Sequence, residues 1–130
     1  MFLYLRKSMT DEVLMMKIRI HPKGILTIEL NEYVEKRLHF ALGRFSARID
    51  SVIIRISGYT EPHGTISKEC RICIPLGSLN MVNVAYADPD IHTAIDRATE
   101  RAVRAVARRL EQERADYNIT SSKLRKEDLP

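Results

Sequence analysis

Four arginines, Arg97, Arg101, Arg104 and Arg108, recur in the segment from Ile91 to Arg114 at intervals of four, three and four. At the helical turn of about 100° per residue, their side chains gather within about 60° of one another, while Ile91, Ile95, Ala98, Ala102 and Val106 gather on a different arc. A helix of this kind buries one face and presents a row of always-charged, forked donors on another. Such donors suit phosphate, so a nucleic-acid backbone is the first partner to consider. The competing reading is a solvated face laced with ion pairs, because Glu100 stands four before Arg104 and Arg109 four before Glu113.

Other chemistry finds little support in the residue pattern. Cys70 and Cys73 form a C-x-x-C, but they lie in an alternating apolar run ending at Leu76, where residues three apart point to opposite faces of a strand. A redox pair favours a helix N-terminus, and a tetrahedral zinc site needs two further ligands nearby. His21, His39, His63 and His92 are scattered and supply no second pair. No metal or cofactor is therefore expected. The acidic residues are dispersed, and neither a phosphate-binding glycine loop nor a serine elbow is present, so no catalytic residues and no small-molecule substrate are assigned.

The 130 residues are 45% hydrophobic and 29% charged, enough for one core and too few for two comfortable domains. The net charge of +4 favours an anionic partner, although 17 acidic residues interspersed with 21 basic ones argue against a nonspecific polycation. Tryptophan is absent, and no Tyr or Phe interleaves with the arginine row as a single-strand stacking platform requires, so backbone contact is expected in preference to base stacking. The opening Phe2-Leu3-Tyr4-Leu5 is too short for a secretory hydrophobic region, and no stretch approaches a membrane span. Two reduced thiols without a signal peptide point to the cytoplasm. Met9, Met15 and Met16 each offer an alternative start, so residues 1–15 are read as a loose extension or a mis-assigned beginning.

The elements that must position the arginines follow from periodicity. Lys17 to His21 alternates as a half-buried strand with Ile18 and Ile20 inward. Thr27 suits an N-cap, and Leu30, Tyr33, Val34, Leu38, Ala41, Leu42 and Phe45 predict an amphipathic helix from Ile28 to about Ala47, with Lys36, Arg37 and Arg44 on its polar side. Val52, Ile54 and Ile56 mark a second strand, Cys70, Ile72, Ile74 and Leu76 a third, and Val82, Val84 and Tyr86 a fourth. Polar connections are expected over Gly58 to Ser67 and Gly77 to Asn80. Asp88-Pro89-Asp90 opens the last helix, with Asp88 as the expected N-cap, and residues 116–130 are expected to form a disordered tail. The order β-α-β-β-β-α predicts an α+β fold: a four-stranded mixed sheet with both helices packed on one face, the first strand returning parallel through its helix.

The segments KRLHFALGRFSARIDSVIIRI, at Lys36 to Ile56, and DPDIHTAIDRATERAVRAVARRLEQER, at Asp88 to Arg114, resemble the ribosome hibernation promoting factor and ribosome-associated inhibitor A family, also known as sigma-54 modulation proteins. The resemblance covers roughly Lys17 to Arg114. It implies a fold similar to a double-stranded-RNA-binding domain with an added first strand. It further implies binding to the small ribosomal subunit, through ribosomal RNA, in the channel used by messenger and transfer RNA, silencing translation under stress. Arg101, Arg104 and Arg108 match the family's basic helix positions; Arg97 and Arg109 extend the row, and Arg37 is a match on the first helix. Ala105 departs from the glutamine common in the family. With no second domain following, the expectation is the short form rather than the long form that pairs ribosomes through its own dimerisation module. Residues 16–115 are thus expected to be the ribosome-binding domain. A protein-interaction regulator acting on a transcription factor and a generic structured-RNA-binding module are the alternatives, and the oligomeric state is open.

Overall fold

Alternation of apolar and polar residues sets the strands, and a computed structural model describes residues 16–22, 26–77 and 80–127, with side chains through residue 118. The elements are β1 (Lys17–His21), α1 (Ile28–Leu42), β2 (Ser51–Thr60), β3 (Ile66–Pro75), β4 (Met81–Asp88) and α2 (Ile91–Glu127). The sheet order is β1-β2-β3-β4. β1 runs parallel to β2, with Ile18 opposite Val52 and Ile20 opposite Ile54, because the chain returns through α1. The remaining neighbours are antiparallel. This is the expected α+β architecture.

Both helices lie on one face of the sheet and share one core. Val34, Leu38 and Leu42 of α1 pack with Val52, Ile54, Ile56, Cys70, Ile72, Ile74, Leu76 and Val82 of the sheet layer and with Ala94, Ile95, Ala98, Ala102 and Val106 of α2. The inward strand residues are those the alternation predicts. Ala98 and Ala102, one turn apart and fully buried, present methyl groups to the sheet and let α2 approach it closely.

Several boundaries differ from expectation, each for a local reason. Thr27 caps α1 as expected, its hydroxyl accepting from the Leu30 N–H at 3.2 Å. The helix ends at Leu42, before the expected Ala47, and tightens into a 3-10 turn at Gly43–Phe45, where Ser46 N–H donates to Gly43 O. β2 and β3 extend into the expected connection: Gly58, Tyr59 and Thr60 pair with Lys68, Ser67 and Ile66. That leaves a short turn in which Glu61 N–H donates to Thr65 O at 2.8 Å and Gly64 takes a φ of 93°, a conformation that favours glycine.

At the start of α2 the cap is Asp90 in place of the expected Asp88. β4 runs on to Asp88, which pairs with Lys68, so the chain turns helical only after Pro89. Asp90 Oδ2 accepts from the Thr93 N–H at 3.3 Å and from the Thr93 hydroxyl at 2.8 Å, while Asp88 Oδ1 accepts from the Asp90 N–H. The disordered tail expected at 116–130 is corrected over 116–127, where α2 continues to Glu127: no glycine or proline interrupts the chain between Pro89 and Pro130. The expectation for residues 1–15 lies outside the described residues.

Candidate nucleic-acid interface

The apolar arc of α2 settles which way its arginines point. With Ile95, Ala98, Ala102 and Val106 buried, Arg97, Arg101, Arg104 and Arg108 stand on the opposite, exposed side. Their engagements differ. Arg97 pairs with Glu100 at 3.3 Å, an exposed contact one helical turn away that is weak in water. Arg101 donates to the Ala85 carbonyl at 2.8 Å, and its guanidinium carbon lies 4.9 Å from the centre of the Tyr86 ring. That contact anchors Arg101 on the edge of β4 and leaves most of its donors for a ligand. Arg104 and Arg108 have neither an ion pair nor a hydrogen bond among the described residues.

The other two candidate arginines are placed in joints between elements. Arg109 donates to Asn80 Oδ1 at 2.8 Å, Asn80 donates to Glu113 Oε1 at 2.9 Å, and Arg48 pairs with the other oxygen of Glu113. The cluster ties the turn after β3 and the segment before β2 to α2, and the hydrogen bonds from Arg48 and Asn80 hold the Glu113 carboxyl below the usual carboxylate range. Arg37 lies 3.3 Å from Asp96, which also accepts from the Tyr33 hydroxyl at 2.5 Å, joining α1 to α2. Both arginines keep an exposed portion, but each also works as a strut.

Packing of the two helices creates a feature invisible along either one. Arg37, Phe40, Ala41 and Arg44 occupy one face of α1 and its 3-10 extension, at spacings of three, one and three. Across from them stand Thr99, Glu100, Val103 and Arg104 of α2, and the open groove between has a volume of about 550 Å³. Phe40 is 85% exposed. The expectation that no aromatic interleaves with the arginines therefore holds along the sequence but not in space. The one signal in the sequence is that Phe40 falls off the apolar stripe of α1. Arg44 adds a further cation, its guanidinium carbon 4.6 Å from the Phe45 ring centre.

The surface so formed is a cationic ridge, Arg97 to Arg108, beside a groove with an aromatic face and arginines on both walls. It suits a flexible or folded polyanion whose bases are partly unstacked, since phosphate, shape and stacking can all be used without reading a groove code. Cys70 and Cys73 face opposite sides of β3, Cys70 buried and Cys73 half-buried. Among the described residues no three His, Cys, Asp or Glu side chains are grouped to hold a metal ion, and no helix is long and apolar enough to cross a membrane.

Residues 18–114 match the family model described as sigma 54 modulation protein / S30EA ribosomal protein. Among solved structures, a ribosomal subunit interface protein from Coxiella burnetii is similar, with 17% identity and a TM-score of 0.48 over 80% of this chain and 97% of that one. The N-terminal domain of Protein Y from Thermus thermophilus is similar with 26% identity and a TM-score of 0.47 over 71% of this chain and 93% of that one. No curated protein matches.

Proposed function

The chain belongs to the sigma 54 modulation protein / S30EA ribosomal protein family, and from that premise we propose that it is a cytoplasmic, non-enzymatic translation inhibitor that binds RNA of the small ribosomal subunit through the exposed side of α2. Residues 16–115 form the binding module, and its occupancy of the channel used by messenger and transfer RNA silences the ribosome under stress. The observation that carries this reading is the state of Arg104 and Arg108, which are exposed and free of internal partners among the described residues. Two adjacent guanidinium groups left unpaired on a rigid helix cost self-repulsion and bring the fold nothing. Placed against phosphate they form charge-assisted, forked hydrogen bonds and release condensed counterions.

Arg97 and Arg101 flank that pair and lengthen the contact. Arg37 and Arg44 bring α1 into it, and Phe40 offers a face on which an unpaired base stacks. Membership of a family described in part as a ribosomal protein supports a ribosomal partner over a generic structured RNA.

The test is co-sedimentation of the full chain with purified small subunits, before and after ribonuclease treatment, together with translation in a cell-free system. The reading predicts co-sedimentation that ribonuclease abolishes, and inhibition that rises with protein concentration. A complex that survives ribonuclease would instead identify a protein partner, as expected of a transcription-factor regulator.

A further inference from the structure

The face of the sheet turned away from both helices is cationic as well. Inward positions such as Ile18, Ile20, Val52, Ile54, Cys70 and Ile72 pack on the core, so the alternate positions project to the other side. There β1, β2 and β3 carry Lys17, Arg19, Arg55 and Arg71, with Glu69 as the acidic residue on that strand face among the described residues.

The register concentrates this charge. His21 stands directly opposite Arg55, and Arg55 directly opposite Arg71, so a row of basic side chains crosses three strands. It ends on Ala85 of β4, which adds no competing group. Like charges directly opposite on neighbouring strands repel and cost stability. Glu69 answers part of that repulsion through its 3.2 Å pair with Arg71, but Arg55 has no ion pair among the described residues. A concavity of about 480 Å³ opens over the row, and Ser57 contributes a hydroxyl to its wall. Two forked donors, a hydroxyl and an imidazole surround the depression, and the Glu69 carboxylate, already paired with Arg71, also stands in its wall. With Arg55 unpaired among the described residues, the charge balance stays cationic and suits a phosphate oxyanion.

We propose that this row is a second phosphate-binding site, which takes a segment of RNA backbone other than the one held by α2, so that the module is gripped by RNA on opposite faces. The proposal rests on the RNA-binding reading given above. The extent of the charge favours a polymer over a free ion. Arg19 and Lys17 continue the basic surface along β1, and from Lys17 to His21 the strand spans roughly 13 Å, much longer than one phosphate group.

The experiment measures association of the full chain with purified small subunits over a series of salt concentrations. Four variants are compared with the unaltered protein: Arg55→Gln with Arg71→Gln, Arg55→Lys with Arg71→Lys, Lys17→Gln with Arg19→Gln, and Arg104→Ala with Arg108→Ala. The glutamine pair in the row is expected to weaken association and reduce the log-log salt slope by about 1 to 2. Its unfolding midpoint is expected to stay level or rise, because the cross-strand repulsion is relieved. The lysine pair, which keeps both charges, should retain most of the slope, so that a loss confined to the glutamine pair is a loss of charge and not of fold.

Association unchanged by the glutamine pair would overturn the proposal while leaving the α2 reading intact. Association unchanged by the α2 pair would overturn that reading while leaving this one. If Lys17→Gln with Arg19→Gln has no effect, and inorganic phosphate raises the unfolding midpoint only when Arg55 and Arg71 are present, the row takes a free ion and the proposal is wrong. Failure of the unaltered protein to bind would overturn both.

Discussion

Arg37 Nε of α1 stands 3.3 Å from Asp96 Oδ1 of α2, so an arginine that helps to make the surface cationic also braces the two helices that carry it. The Tyr33 hydroxyl donates to the same oxygen at 2.5 Å. The joint is part-buried, where a charge-assisted hydrogen bond is worth more than an exposed pair and less than a fully dry one.

Asp96→Asn is predicted to lower stability by about 1 to 2 kcal/mol, read as a drop in the unfolding midpoint. The hydrogen bond to Asp96, with burial second, raises the Tyr33 pKa. A raised folded-state value means that the contribution is fully present below the ordinary tyrosine pKa of about 10 and fades as pH rises through the folded value. Spectroscopic titration should therefore show Tyr33 ionising later than an ordinary tyrosine in the native protein, and this delay should shrink in the Asp96→Asn variant, which removes the carboxylate but not the burial.

The two thiols are predicted to differ sharply in reactivity. Burial pushes Cys70 up to about 12, so almost none of it is thiolate at neutral pH, and reagent access is closed. Cys73, half-buried on the other face of β3, is open to alkylation. Mass spectrometry after brief iodoacetamide treatment should find label on Cys73 alone, with Cys70 labelled only after denaturation.

Ala102 is fully buried where α2 meets the sheet. Ala102→Leu forces extra methylenes into that contact and is predicted to destabilise by about 1 to 3 kcal/mol, measured by urea unfolding. Ala107→Leu, at a half-buried position on the same helix, serves as the comparison and should cost less.

Phe40, being largely exposed, contributes little to the core. Phe40→Ala is predicted to leave the unfolding midpoint within about 2 °C, since exposed substitutions usually fall within ±0.5 kcal/mol. The same change should weaken association with small subunits by about 1 to 3 kcal/mol, the worth of one stacked base. Binding equal to that of the unaltered protein would remove stacking from the account and leave phosphate contact alone.

The parts of the fold legible in the sequence were those set by local periodicity. Val52, Ile54 and Ile56, then Cys70, Ile72, Ile74 and Leu76, showed which strand faces are buried, and the outward turn of Arg97, Arg101, Arg104 and Arg108 followed from the apolar arc of the same helix. Choices decided by pairing across the chain were not legible. Asp88 and Asp90 flank Pro89 almost symmetrically, and only the ladder between Asp88 and Lys68 shows that the strand claims the first and the helix the second.

The candidate site divided in the same way. Arg37 and Asp96 are 59 residues apart, and Arg109 and Asn80 are 29 apart, so their partnerships depend on how the elements dock. Arg44 is legible as part of the basic side of α1, but Phe40 reads as incidental until α1 lies beside α2 and brings it opposite Arg104. Likewise the row His21, Arg55 and Arg71 exists only through the strand register.

Whether the exposed arginines of α2 hold ribosomal RNA is decided by the salt dependence of association between small subunits and the Arg104→Ala, Arg108→Ala double variant. The variant is expected to be as well folded as the unaltered protein, to bind more weakly, and to show a log-log salt slope shallower by about 2, one for each phosphate that an arginine no longer neutralises. A well-folded variant that binds with the original affinity and the original slope would contradict RNA binding by these arginines.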